Sequence, residues 1–125
     1  MKTAIGILSV ISILCIFMHE FDAFHRGEWK MFGFLKSFRE ETRFRIFLFA
    51  HIPVTLFLFY YLWTVITHRN FTLWLIMNLF AVAHLLLHLF AVRWETNVFT
   101  SRISFAFMFA WALCGLGNLC LWSYY

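Results

Sequence analysis

Apolar residues along this chain fall into four runs separated by short polar punctuation. The runs occupy residues 3–18, 44–67, 71–92 and 103–122, the first span reaching about residue 20. An α-helix rises about 1.5 Å per residue, so about 20 residues cross a hydrocarbon core about 30 Å thick. The last three runs are long enough as they stand. The first becomes so when its helix continues through His19 and Glu20. A signal peptide would share the lysine and apolar stretch of that first run, but the HEFDAFH after Met18 does not carry a small-residue cleavage pattern. Four membrane helices are therefore the expectation.

The most polar stretch lies between the first two runs and reads EFDAFHRGEWKMFGFLKSFREETRFR from Glu20 to Arg45. Phe21, Phe24, Trp29, Phe32, Leu35 and Phe38 recur at roughly three-to-four spacing with charges between them. That pattern predicts an amphipathic helix over 21–40 lying in the membrane interface, with Gly27 and Gly33 as points of bending. His68-Arg69-Asn70 reads as a tight hairpin. Pro53, the one proline, lies early in the second run, where it kinks a helix or frees a carbonyl. The predicted fold is all-α: one domain, an integral membrane four-helix bundle with a cytoplasmic-side interfacial helix between its first two spans.

Composition agrees. The chain is 63% hydrophobic and 13% charged, against about 45–50% and 25% for a soluble domain. In 125 residues no soluble core could hide so much Phe, Leu and Ile. The net charge of +4 flanks apolar runs, which points to anionic lipid headgroups and away from nucleic acid. Cys15, Cys114 and Cys120 lie inside apolar segments and form no metal or disulfide spacing, so they read as small packing residues.

Charge also gives an orientation. Alternating spans put Arg26, Lys30, Lys36, Arg39, Arg43, Arg45, Arg93 and Arg102 on one side, against Lys2 and Arg69 on the other. The positive-inside rule makes the first side cytoplasmic, with both termini outside. Glu20, Asp22, Glu28, Glu40, Glu41 and Glu95 share that inner side. So do His19, His25, His51, His84 and His88, leaving only His68 opposite. His51 sits about 9 Å, and His84 and His88 about 13 and 8 Å, beneath the inner boundary. Ionisable groups at such depth are costly and normally face a bundle interior, so three helices deliver imidazole or carboxylate to one layer.

Three constellations carry candidate chemistry. His84-Leu-Leu-Leu-His88 puts two imidazoles on one helical face a turn apart, a spacing that suits metal ligation. Its structural alternative is a pair of cross-helix hydrogen bonds. His19-Glu20 closes the first span and leads into Asp22, His25 and Glu28. The alternative there is a solvated helix in which Asp22 pairs with Arg26 at i+4. His51 is either a further ligand or a core histidine bonded to a carbonyl. The metal-ligand set expected is His19, Glu20, His51, His84 and His88, with Glu20, Asp22 and Glu28 as proton-transferring groups. His and carboxylate donors together suit iron, zinc or manganese. Two of His51, His84 and His88 would alternatively serve as axial ligands of a haem b.

The segments His19-Glu20-Phe21-Asp22-Ala23, Glu28-Trp29 and His51-Ile52-Pro53 resemble a family of small bacterial membrane proteins known as a domain of unknown function. The resemblance runs over most of the chain. It implies a four-helix membrane protein in which His19, Glu20, Asp22, Glu28 and His51 belong together, and it implies no activity.

The function expected is a membrane-embedded metalloprotein near the cytoplasmic face, an oxidoreductase or hydrolase acting on a lipid-soluble substrate. A haem-b electron-transfer subunit is one alternative. A non-enzymatic small subunit or ion or proton conductor, in a homo-oligomer or larger membrane complex, is the other.

Overall fold

The computed structural model of the chain describes residues 1–91 and 101–125. Arg93 and Glu95, used in the charge argument, lie outside the described residues, as does the link they occupy. Four helices appear: α1 (Lys2–Arg26), α2 (Glu40–Ile66), α3 (Phe71–Ala91) and α4 (Arg102–Cys120). All four are long and apolar enough to cross a membrane. No strand occurs among the described residues. Large apolar side chains stand out from every helix, among them Leu14, Phe49, Leu87 and Leu113, each more than half exposed. A soluble monomer does not present apolar surface on that scale. The chain is a multi-pass membrane protein whose outer surface is solvated by lipid.

Small residues set the packing. α1 and α4 run antiparallel: His19 meets Ser104 near one end, and Ser9 meets Asn118 near the other. Ser9, Ser12, Ser104 and Gly115 are buried between helices, where small side chains let backbones approach. α3 packs on α4 as well. A Cβ added to Gly115 would lie 2.8 Å from the Asn78 carbonyl oxygen, so the α3–α4 approach requires glycine there. The core holds Ile5, Ile13, Ile16, Trp74, Met77, Ala81 and Trp111. α2 packs more loosely, through Phe47, Leu58, Tyr61, Thr64 and Val65, and its other faces look outward.

Hydrogen bonds fix the ends and one buried layer. Asn70 caps α3 by accepting from the Leu73 amide at 2.9 Å, which commits its side chain inside a formal glycosylation triplet. Ser101 caps α4 by accepting from the Ser104 amide at 3.2 Å. In the half of the bundle away from the histidines, the Asn118 amide donates to Ser9 at 3.2 Å and to Asn78 at 2.9 Å. Asn78 donates in turn to the Trp74 carbonyl at 2.7 Å, and the Tyr61 hydroxyl lies beside Ser9 and Asn78. Tyr61 is 2% exposed; it belongs to this network and not to a lipid-facing aromatic belt. Cys120, at the end of α4, is exposed.

The interfacial helix expected over 21–40 is not present. α1 runs on to Arg26 and ends where Gly27 turns left-handed, at φ 73°, its amide donating to Ala23 and Phe24. Two single 3-10 turns follow, Glu28–Met31 and Gly33–Leu35, broken by an extended Phe32. The aromatic spacing serves packing against the bundle instead. Phe24 and Trp29 lie against Phe44 and Phe47 of α2, and Leu35 is buried. This tucked segment floors the end of the bundle that bears the histidines, called the inner end below.

Candidate metal centre

α1 and α3 both pack on α4, which brings the end of one beside the last turns of the other. His19 enters from α1; His84 and His88 enter from one face of α3. The His84 and His88 ring centroids are 4.6 Å apart. His19 stands edge-on to both, at 5.4 and 5.1 Å. One nitrogen from each ring falls within 4.8 Å of the other two. The His19 and His84 Nε2 atoms are 3.4 Å apart. Two imidazoles on one tetrahedral metal, each about 2.0–2.1 Å from it, have their nitrogens about 3.4 Å apart. The closest edge of the triangle therefore already has the dimension of a ligand–ligand edge.

The tautomer of His19 also fits. Its Nδ1 is 2.6 Å from the Ser104 hydroxyl, a contact buried between α1 and α4. With Nδ1–H donating to Ser104, Nε2 carries the lone pair and faces His84. With Nε2–H on His84, a hydrogen bond to His19 Nε2 spans the 3.4 Å gap, and an ion would take the place of that proton. His19 is 2% exposed. The Trp111 and Phe80 rings lie 5.2 and 5.4 Å from His84 and hold that imidazole from behind.

Glu20 and His51 form a second unit. His51 Nε2 is 2.8 Å from Glu20 Oε2, and His51 Nδ1 is 2.6 Å from the Phe47 carbonyl oxygen. A carbonyl only accepts, so Nδ1 bears a hydrogen. The contact between Nε2 and the carboxyl then needs one more proton, on the acid or on the ring. The pair is thus either imidazolium–carboxylate or imidazole–carboxylic acid. The carbonyl-bonded core histidine weighed as the structural alternative for His51 describes one of its two nitrogens.

Below them, Glu28 sits in the first 3-10 turn. It is 8% exposed, and its Oε1 has no hydrogen-bond partner among the described residues. Burial, reinforced by the charges of Glu20 and Asp22, pushes its pKa up from 4.5 to about 8, so it is protonated at neutral pH. Asp22 lies 3.8 Å from Arg26 at i+4, and His25 is exposed.

A cavity of about 500 Å³ joins these groups. His19, Glu20, Glu28, His51, His84 and His88 form its polar wall. Phe32, Phe47, Leu87 and Phe90 form much of its apolar wall. Of the five residues expected as metal ligands, three make the nitrogen triangle, while Glu20 and His51 line the same cavity outside it. Asp22 does not line it. Two participants carried no recognisable sequence signal. Ser104 reads as one member of a small-residue stripe on α4, and Met31, which lines the cavity, as an apolar residue of the expected interfacial helix.

A family model described as a family of unknown function (DUF6713) matches residues 5–125, and the chain belongs to that family. No curated protein and no solved structure matches it significantly.

Proposed function

We propose that this member of the family is a membrane-embedded metalloprotein in which His19, His84 and His88 hold one transition-metal ion at the inner end of the bundle. The observation that carries this reading is the triangle of imidazole nitrogens within 4.8 Å of one another, drawn from two helices, with His19 buried and His84 and His88 half-buried. Imidazoles brought this close together in an apolar chain are stabilised by sharing a proton or a cation. Three nitrogen donors suit zinc or iron better than the oxygen-seeking manganese. Three protein ligands also leave a coordination position open, the arrangement of catalytic metal sites, and here it would face the cavity. Glu20 supplies negative charge against the ion, as a further ligand or as a proton-transferring group with His51. Glu28, in its protonated state, supplies a donor, and Asp22 lends charge from outside the cavity.

An open position facing a cavity with apolar walls supports metal-assisted hydrolysis or oxidation of a lipid-soluble molecule. The geometry favours an ion over a haem. A haem needs imidazoles opposed across a flat macrocycle, whereas His84 and His88 rise from one helix and His19 closes on both edge-on. The basic residues Arg26, Lys30, Lys36, Arg39, Arg43, Arg45 and Arg102 at this end support a cytoplasmic placement in a bacterial plasma membrane, with both termini outside.

Elemental analysis of protein purified in mild detergent tests the reading. About one zinc or iron per chain is expected, lost in a His84→Ala/His88→Ala variant that retains its helical circular dichroism. Equal metal content in that variant refutes the assignment. A Soret band with stoichiometric iron would replace it with the haem alternative.

A further inference from the structure

Beside the triangle the cavity offers two unlike surfaces. One wall is aromatic and aliphatic, built from Phe32, Phe47 and Phe90 with Leu87. Leu87 and Phe90 are 61% and 64% exposed. They lie on the apolar flank of α3, so this side of the cavity is continuous with lipid. The rest of the lining carries the imidazoles and two carboxyl groups. Such a space is filled from the membrane, by a molecule with an apolar body and a polar end.

Glu28 narrows the choice. It is more than nine-tenths buried and lines the cavity together with Glu20 and the imidazoles. Buried polar groups are rarely left unsatisfied in native proteins, and such exceptions call for an explanation. A plain acyl chain would cover these polar groups and offer them no hydrogen bond. A carboxylate-headed lipid would meet two carboxyl groups, Glu20 and Glu28, on the same wall. A neutral head that both donates and accepts satisfies Glu28 without adding charge. Aromatic walls favour a flat ring, which stacks at offset or edge-on geometry. A volume of about 500 Å³ holds a substituted ring, its tail passing between Leu87 and Phe90 into the bilayer.

We infer that the cavity binds a lipid-soluble ring bearing carbonyl or hydroxyl oxygens, the chemistry of a quinone or quinol, with one ring oxygen on Glu28 and the other toward the three histidines. The inference rests on the proposed metal centre only for what lies at that second oxygen.

Calorimetric titration in detergent with decyl-ubiquinone tests it, with decylbenzene and dodecanoate as the two comparison ligands. Metal content is read on the same samples. The quinone is expected to bind at least tenfold more tightly than either comparison ligand. Glu28→Leu weakens it about tenfold, the effect of losing one buried hydrogen bond, and Glu28→Gln, which keeps a donor and an acceptor, restores most of the affinity. Metal content stays unchanged in both variants. Equal binding of decylbenzene or dodecanoate overturns the inference, as does quinone affinity unaltered by Glu28→Leu. The two readings fail separately. Glu28-dependent quinone binding to a chain that never holds metal removes the metal centre alone. A metal-loaded chain with no preference for the quinone removes the ligand alone.

Discussion

Removing the Ser104 hydroxyl is the sharpest perturbation of the proposed centre, because it leaves all three ligands in place. The hydroxyl sits 2.6 Å from His19 Nδ1 and fixes which nitrogen is offered to the ion. In Ser104→Ala the Nδ1–H is left buried in an apolar seam. The cost of a stranded buried donor is about 1–3 kcal/mol, and the ring is freed to rotate or to take the other tautomer. Loss of such outer partners lowers metal affinity about 10–100-fold, and that is the size expected here. Backbone capping of α4 survives, since the Ser104 amide donates to Ser101 whatever its side chain. The assay is competition between protein and a chelator of known affinity, followed by the visible absorption of bound cobalt(II), whose intensity also reports tetrahedral geometry. Ser104→Thr retains the hydroxyl and should stay close to the parent chain. An affinity for Ser104→Ala within twofold of the parent, in a folded protein, would refute the claim that this hydroxyl orients a metal-binding imidazole.

Two further outcomes follow from packing and charge. Gly115→Ala places a methyl 2.8 Å from the Asn78 carbonyl oxygen and 3.1 Å from the Ala81 Cβ. It should cost about 1–3 kcal/mol, seen as a lower thermal midpoint in detergent, and an unchanged midpoint would contradict the close α3–α4 approach. Glu28 has its pKa raised from 4.5 to about 8, so the folded state binds the extra proton between those values and loses stability as pH rises through them. The slope is at most about 1.4 kcal/mol per pH unit. Glu28→Gln should flatten it in midpoints measured from pH 5 to 9, and an identical slope would exclude Glu28 as its source.

Much of the fold was legible because the bilayer imposes a length rule, and the chain has four helices long and apolar enough to meet it. The segment after α1 was not. Its aromatic spacing matches a helix lying on the membrane, but Gly27 reaches a left-handed turn that a helix cannot continue through, and Phe32 is extended. Periodicity records which residues are buried together and not what backbone presents them. In the site, the i, i+4 pair His84 and His88 follows from helical geometry alone. That His19 joins them and His51 does not depends on α1 and α3 sharing α4 as a neighbour, a tertiary fact no spacing encodes. Ser104 was hidden for the same reason: its partner is 85 residues away in sequence.

The bundle carries two buried polar layers, and their chemistry assigns them different work. The layer of Asn78, Asn118, Ser9 and Tyr61 contains only neutral groups that bond to one another, so it can lock helix register but has nothing to offer a cation beyond weak dipoles. The inner layer concentrates imidazoles and carboxyls around a cavity, which serves ligands and weakens packing. Asn118 lies 14 residues from Ser104 along α4, about 21 Å away, beyond the range at which substitutions usually interact. Side-chain hydrogen bonds between membrane helices average about 0.6 kcal/mol and reach about 1.7. Asn118→Leu removes two, so it should lower stability by about 1–3 kcal/mol and leave cobalt affinity unchanged, the reverse of Ser104→Ala. Combined, the two changes should add in both readouts. A tenfold loss of metal affinity in a folded Asn118→Leu protein would show that the histidine geometry is set by register across the whole bundle, and the division between a structural layer and a chemical one would fall.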